Sequence, residues 1–255
     1  MVRWGLYSLR NLWVRRVTTA LTVVGLGLVV FVLLAVLMLA HGLERTLGKT
    51  GDPENVIILR KGALSEIGSS LSREEIRAVA AQPDVRLTAD GRPLAVAEVG
   101  LQLTLRKGQG GSLTSVTLRG TAPKALAVRP AILLIQGRLW KPGTTEIVVG
   151  ASIARQFPDA RVDRVLHFGN RAWTVVGVFE AGGSGFDSEV WGDAEQFLAT
   201  FHRATFSSMT LRLAPPATVP AFKDRIERDP RFKFSVKREP EYYEGKAEGL
   251  ARMIR

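Results

Sequence analysis

Few residues of this chain have the types and spacing that chemistry needs. His41, His167 and His202 could each bind a metal or move a proton near neutral pH. They are far apart in the sequence and form no helical His-x3-His pair, so each reads as a lone structural histidine. The segment AGGSGF at 181–186 carries a glycine-flanked serine, the setting of an acyl-attacking nucleophile. It fails the Gly-x-Ser-x-Gly spacing because Phe186 stands two residues after Ser184, and it reads as a flexible loop at a strand end. Asp187, Glu189 and Asp193 could hold a cation through their oxygens but read as a solvated acidic loop. Gly108, Gly110 and Gly111 are followed by no Lys-Ser/Thr pair and open no helix, so they are turn residues and not a phosphate cradle. The chain therefore hydrolyses no ATP by itself. Cysteine is absent, which excludes disulfides, Cys-ligated zinc and thiol catalysis. The sequence offers no enzyme, and it assigns no catalytic, cofactor-binding or metal-binding residue and no cofactor.

What it does offer is a membrane element. Residues 17–40 run without one charged side chain, long enough to cross a bilayer as a helix. Arg3, Arg10, Arg15 and Arg16 precede the run with no acidic residue among them, whereas Arg45 and Lys49 beyond it are opposed by Glu44, Asp52 and Glu54. Basic residues favour the inner side, so the N-terminus is expected in the cytoplasm and the bulk of the chain outside the cell inner (plasma) membrane. A cleaved signal peptide has a shorter apolar stretch and a small-x-small cleavage site, for which Met38 and Ala40 are poorly suited. Residues 1–16 interleave their arginines with Trp4, Tyr7 and Trp13, the pattern of a basic helix lying in the lipid headgroups. Membrane lipid is thus the first expected partner. The formal net charge is +11, but no basic block or RNA-binding aromatic motif accompanies it, so nucleic acid is not expected as a partner.

The remaining elements follow from local signals. Leu39, Leu43 and Leu47 extend the helical stripe into a short stalk over 41–51, which Gly48, Gly51 and Asp52-Pro53 then break. NVIILR at 55–60 is β-branched and reads as a strand. Ser72 with Glu75 forms a capping box for a helix over 72–82 that Pro83 closes. Residues 94–106 and 115–119 form a hairpin about the glycines. Strands are expected at 146–149, 165–168 and 173–179, with a helical turn at 152–156. A strand at 208–213, a helix at 219–228 and a strand at 232–236 then repeat the β-α order of 55–82. From Pro240 to Arg255 a polar helix presents Tyr243, Ala247, Leu250 and Ile254 on one face, as a second stalk over 240–255. The class is α+β: a transmembrane helix, then a domain over 52–239 in which two β-α units flank a smaller β-rich lobe at about 137–200.

Three stretches carry a family resemblance: SLRNLWVRRVTTALTVVGLGLVV at 8–30, QGRLWKPGTTEIVVGASIARQF at 136–157 and WTVVGVFEAGGSGFDSEVWGD at 173–193. They resemble ABC-transporter permeases with a MacB-like periplasmic core domain, related to the FtsX and lipoprotein-releasing permeases. The resemblance implies a cytosolic ABC ATPase subunit and a second permease protomer, identical or paralogous, as partners. It implies that ATP-driven closure is passed along stalks at 39–47 and 243–254 to a periplasmic porter-like lobe with its inserted lobe. It also implies three further spans after the domain, so the chain is expected to be the N-terminal part of a permease, cut before the second span. The competing expectation is a single-span, membrane-anchored periplasmic binding or sensing module.

Overall fold

NVIILR becomes the strand on which one half of the structure is built. In the computed structural model, which describes residues 16–47, 50–108, 111–215 and 217–254, β1 (Asn55–Arg60) is buried over five of its six residues. It pairs antiparallel with β9 (Ser208–Arg212) on one side and β10 (Phe234–Arg238) on the other. With β2 (Ala95–Arg106) these strands give the order β10-β1-β9-β2. Helices α2 (Arg73–Ala80) and α6 (Val219–Arg228) lie on that sheet, with Val79, Phe222 and Ile226 packed against Val56, Ile58, Met209 and Leu211. The two β-α units of the sequence therefore share one four-stranded layer. Ser72 caps α2 in a reciprocal box with Glu75, as its spacing predicts.

The second half-sheet runs β3 (Leu113–Thr121), β8 (Glu189–Asp193), β5 (Glu146–Gly150), β7 (Arg171–Glu180) and β4 (Leu133–Gly137), with β6 (Val165–Phe168) also on β7. Its pairing is mixed: β3 with β8 and β5 with β7 are parallel, and the rest antiparallel. Short helices α3 (Ala125–Val128), α4 (Ala151–Gln156) and α5 (Ala194–Thr200) connect these strands. The core of this half centres on Trp173, stacked on Phe168 at 5.0 Å and edge-on to Phe197 at 4.9 Å. Strands β4 and β8 and helices α3 and α5 are absent from the sequence expectation. EVWGD of β8 holds two acids, and most of β4 is exposed, so neither has the apolar alternation that marks a strand. The last strand, β10, starts two residues later than expected because Phe232 closes a turn on Asp229.

β2 belongs to both halves. Residues 95–98 pair with β9 and residues 99–106 with β3, so the strand changes partner between Glu98 and Val99. Outside the sheets, α1 (Arg16–Leu47) is one continuous helix of about 48 Å at 1.5 Å per residue. Its segment Arg16–Leu39 is long and apolar enough to cross a membrane, and the helix runs on without a break to Leu47. Helix α7 (Glu239–Ile254) lies alongside α1. The interfacial helix expected over residues 1–16 falls, apart from Arg16, outside the described residues.

Trp173→Ala removes the aromatic centre of the second half and should cost about 3–5 kcal/mol in chemical denaturation. Leu133→Ala, on the exposed edge strand, should change stability by less than about 0.5 kcal/mol.

Candidate functional site

Where β2 changes partner, it places a carboxylate in the interior. Glu98 interrupts the apolar run AVAEVG and is 0% exposed. Arg129, at the end of α3, grips it with two bonds, Nη1 to Oε1 at 2.8 Å and Nη2 to Oε2 at 2.7 Å. Arg119, on β3, adds Nη1 to Oε2 at 3.2 Å, and Thr210 of β9 donates to the same oxygen at 3.2 Å. Arg119 also reaches across to β8, with Nε to Glu189 Oε2 at 2.7 Å and Nη2 to Oε1 at 2.9 Å. It meets Glu66, in the 3-10 turn Glu66–Gly68, at 2.7 Å. Both guanidiniums stand over the Phe186 ring, 5.3 and 5.0 Å from its centre.

The same cluster holds the root of α7. Arg129 Nε donates to Glu239 Oε1 at 2.6 Å, while Asn55 Nδ2 and the Asp52 amide donate to Glu239 Oε2 at 2.8 and 3.0 Å. Arg119 Nη2 donates to the Tyr243 hydroxyl at 3.1 Å, and the Glu66 amide donates to that of Tyr242 at 3.0 Å. Ser208 and Trp191 complete the shell by donating to Glu66 and Glu189. Four glutamates and two arginines, all buried, thus join β2, β3, β8, β9, the 3-10 turn and the base of α7.

The electrostatics follow from burial and pairing. Burial alone would push the Glu98 carboxyl up, but Arg129 and Arg119 hold it at about 2. Burial opposes ionisation of Glu66 too, and Arg119 outweighs it and keeps the carboxyl below its ordinary value, with help from Lys246. Burial raises Tyr243 well above the ordinary phenol, so it stays protonated beside Arg119. The pairing thus keeps Glu98 and Glu66 charged in the interior and Tyr243 neutral beside them. It can hold elements in one relative position, because any displacement leaves an unpaired charge in the interior.

The residues singled out from the sequence fall elsewhere or take other roles. The loop at 181–186 exposes Gly182 and Gly183 but is tied to the residue after it: Asp187 is buried and accepts from the amides of Ala181 at 2.6 Å and Gly183 at 2.7 Å. Gly182 and Gly183 take left-handed φ of 63° and 78°, which closes this turn and drives Phe186 into the cluster. Ser184 is buried on the same turn. The reading of Asp187, Glu189 and Asp193 as a solvated acidic loop is likewise corrected, since all three are buried. Glu189 pairs with Arg119, Asp187 closes the turn, and Asp193 caps α5 through the Glu195 amide at 2.7 Å. They do not converge, and among the described residues no acidic or histidine group is arranged to hold a metal. His167 and His202 are exposed and separate. Glu66, Glu98, Arg119, Arg129 and Glu239 escaped the sequence reading; the available signal was a single charge inside the apolar strand segments AVAEVG and VTLRGT.

The family model described as the MacB-like periplasmic core domain matches residues 19–229. No curated protein matches the chain by sequence. Among solved structures, the extracellular domain of the noncanonic ABC-type transporter YknZ from Gram-positive bacteria aligns with TM-score 0.55 and 14% identity, over 72% of this chain and 99% of that one. The periplasmic region of MacB from Actinobacillus actinomycetemcomitans aligns with TM-score 0.55 and 14% identity, over 79% of this chain and 92% of that one. At this identity the two likenesses speak for the fold, an α+β domain on an N-terminal apolar helix.

Arg129→Met leaves Glu98 and Glu239 buried and short of a partner, and should cost about 3–5 kcal/mol in chemical denaturation. Adding Glu98→Leu should recover part of that loss. The depressed carboxyl of Glu98 gives stability that is present above its ordinary value of 4.5 and is lost as pH falls through about 2. Acid unfolding between those limits should therefore be steeper in the wild type than in Glu98→Gln, as read by circular dichroism.

Proposed function

The chain belongs to the family of MacB-like periplasmic core domains, and from that premise we propose that it is the N-terminal part of an ABC-transporter permease. Its partners in this reading are a cytosolic ABC ATPase, a second permease protomer and membrane lipid. The N-terminus faces the cytoplasm, α1 crosses the inner membrane, and the domain over 52–239 works in the periplasm. Nucleotide-driven motion inside passes through α1 and α7 to this domain, which moves a substrate or relays a signal.

The observation that carries this reading is the attachment of α7. Its first five residues include Glu239, Tyr242 and Tyr243, which reach Arg129, Arg119 and the Glu66 amide. Those partners sit on elements of both half-sheets, so a pull on α7 acts on both together. Coupling of this kind needs a physically connected element that both ends bias, and a stalk bonded into a buried charge cluster meets that need.

The test uses the native gene product, tagged and extracted from its own membranes. A cytosolic ATPase and a second permease chain should co-purify, and Glu239→Gln should change the coupling of ATP hydrolysis to the outer domain by about 0.5–2 kcal/mol without dissolving the assembly. Recovery of the protein with neither partner would overturn this reading in favour of a single-span binding or sensing module.

A further inference from the structure

A second feature lies apart from the charge cluster. A cleft of about 380 Å³ opens between the two halves of the domain, in the size range of small-molecule pockets. One wall is α2, through Ile76, Arg77 and Ala80, and the opposite wall is the start of α5 at Ala194. The floor is β2 and β9, where Ala95, Ala97 and Met209 face it. Ala95 and Ala97 are two residues apart on one strand face, so two small side chains in register make the room. At the rim, Arg73 of α2 and Glu195 of α5 are joined by two bonds of 2.6 Å, which ties the two walls together.

Three polar features on this apolar cleft point to a ligand. Thr121 lies on its wall, is 1% exposed, and its buried hydroxyl has no hydrogen-bond partner, which is rare for a buried polar group. Lys124 lies beside it without a carboxylate partner. Burial, and then the charge of Arg92, hold its ammonium below the ordinary lysine value. Arg77 adds a second cation, shared with Glu74 one turn back on α2. The carboxylates of the cleft are already engaged, Glu195 by Arg73 and Asp193 by the amides of Gly143 and Glu195. The charge open to a ligand is therefore positive.

We propose that this cleft binds a small amphiphilic anion, an aliphatic chain ending in a carboxylate. The chain lies on Ala95, Ala97 and Met209, the head meets Lys124 and Arg77, and an oxygen of the head engages the Thr121 hydroxyl. The ligand touches both walls, which the Arg73–Glu195 pair joins at the rim. The site stands independently of any ATPase or second permease chain, so the loss of either proposal leaves the other in place.

The absence of cysteine provides the test. In the full chain held in lipid nanodiscs, Ala80→Cys places the sole thiol on the cleft wall, and Leu64→Cys places it at a site 97% exposed on the surface. Dodecanoate should slow maleimide labelling of the first saturably, by about tenfold, and leave the second unchanged. Dodecanol and acetate, which lack the charge or the chain, should need at least about tenfold more to protect. Lys124→Glu should weaken the protection by dodecanoate by about tenfold, and Ala97→Leu, which fills the floor, should abolish it. Unchanged labelling at position 80, equal slowing at 64 and 80, or protection by dodecanol equal to that by dodecanoate would each overturn the proposal.

Discussion

A glutamate with no exposed atom remains charged in the interior only because two guanidiniums face it. Glu98 sits where β2 passes from one half-sheet to the other, and Arg129 and Arg119 reach it from α3 and β3. That constraint propagates. Each arginine needs further acceptors for its remaining donors, and these are Glu189 on β8, Glu66 in the 3-10 turn and Glu239 at the root of α7. The position of the α7 root is therefore set by the charge balance of a residue more than a hundred positions earlier in the chain.

Such a cluster is a poor source of net stability, since removing charges from water costs about as much as their pairing returns. Its effect is positional. An apolar core of the same volume could slip or repack, whereas guanidinium–carboxylate bonds of 2.6–2.8 Å, as Arg119 makes to Glu189 and Arg129 to Glu98 and Glu239, tolerate little displacement. The aromatic surroundings serve the same end: Phe186 lies under both guanidiniums, Trp191 donates to Glu189, and Tyr242 and Tyr243 carry the contact onto α7. The domain thus meets α7 through a buried polar joint, while the cleft between α2 and α5 is lined largely by small and apolar side chains.

The elements read correctly from the sequence have their causes within a few residues. NVIILR is a strand because its side chains are β-branched, and Ser72 with Glu75 starts a helix because the capping bonds span three positions. Residues 165–168 and 219–228 match their elements to the residue. β8 escaped because EVWGD is strand-like only when Arg119 and the amides of Glu195 and Gly143 engage its acids. The loop at 181–186 reads as flexible because its glycines are local, while its ties to the core, Asp187 and the buried seat of Phe186, are visible only in three dimensions. The cluster itself was hidden by distance: Arg129 and Glu239 are 110 residues apart. A lone charge in an apolar strand was the one local trace it left.

In this arrangement the root of α7 and both half-sheets move as one mechanical unit. Native-state hydrogen exchange of the full chain, wild type against Tyr243→Phe combined with Glu239→Gln, tests it most directly. Loosening these two α7 contacts should raise exchange together in β2, β3 and β8, far from the substituted residues in sequence. Faster exchange confined to α7, with the strands unchanged, would contradict it.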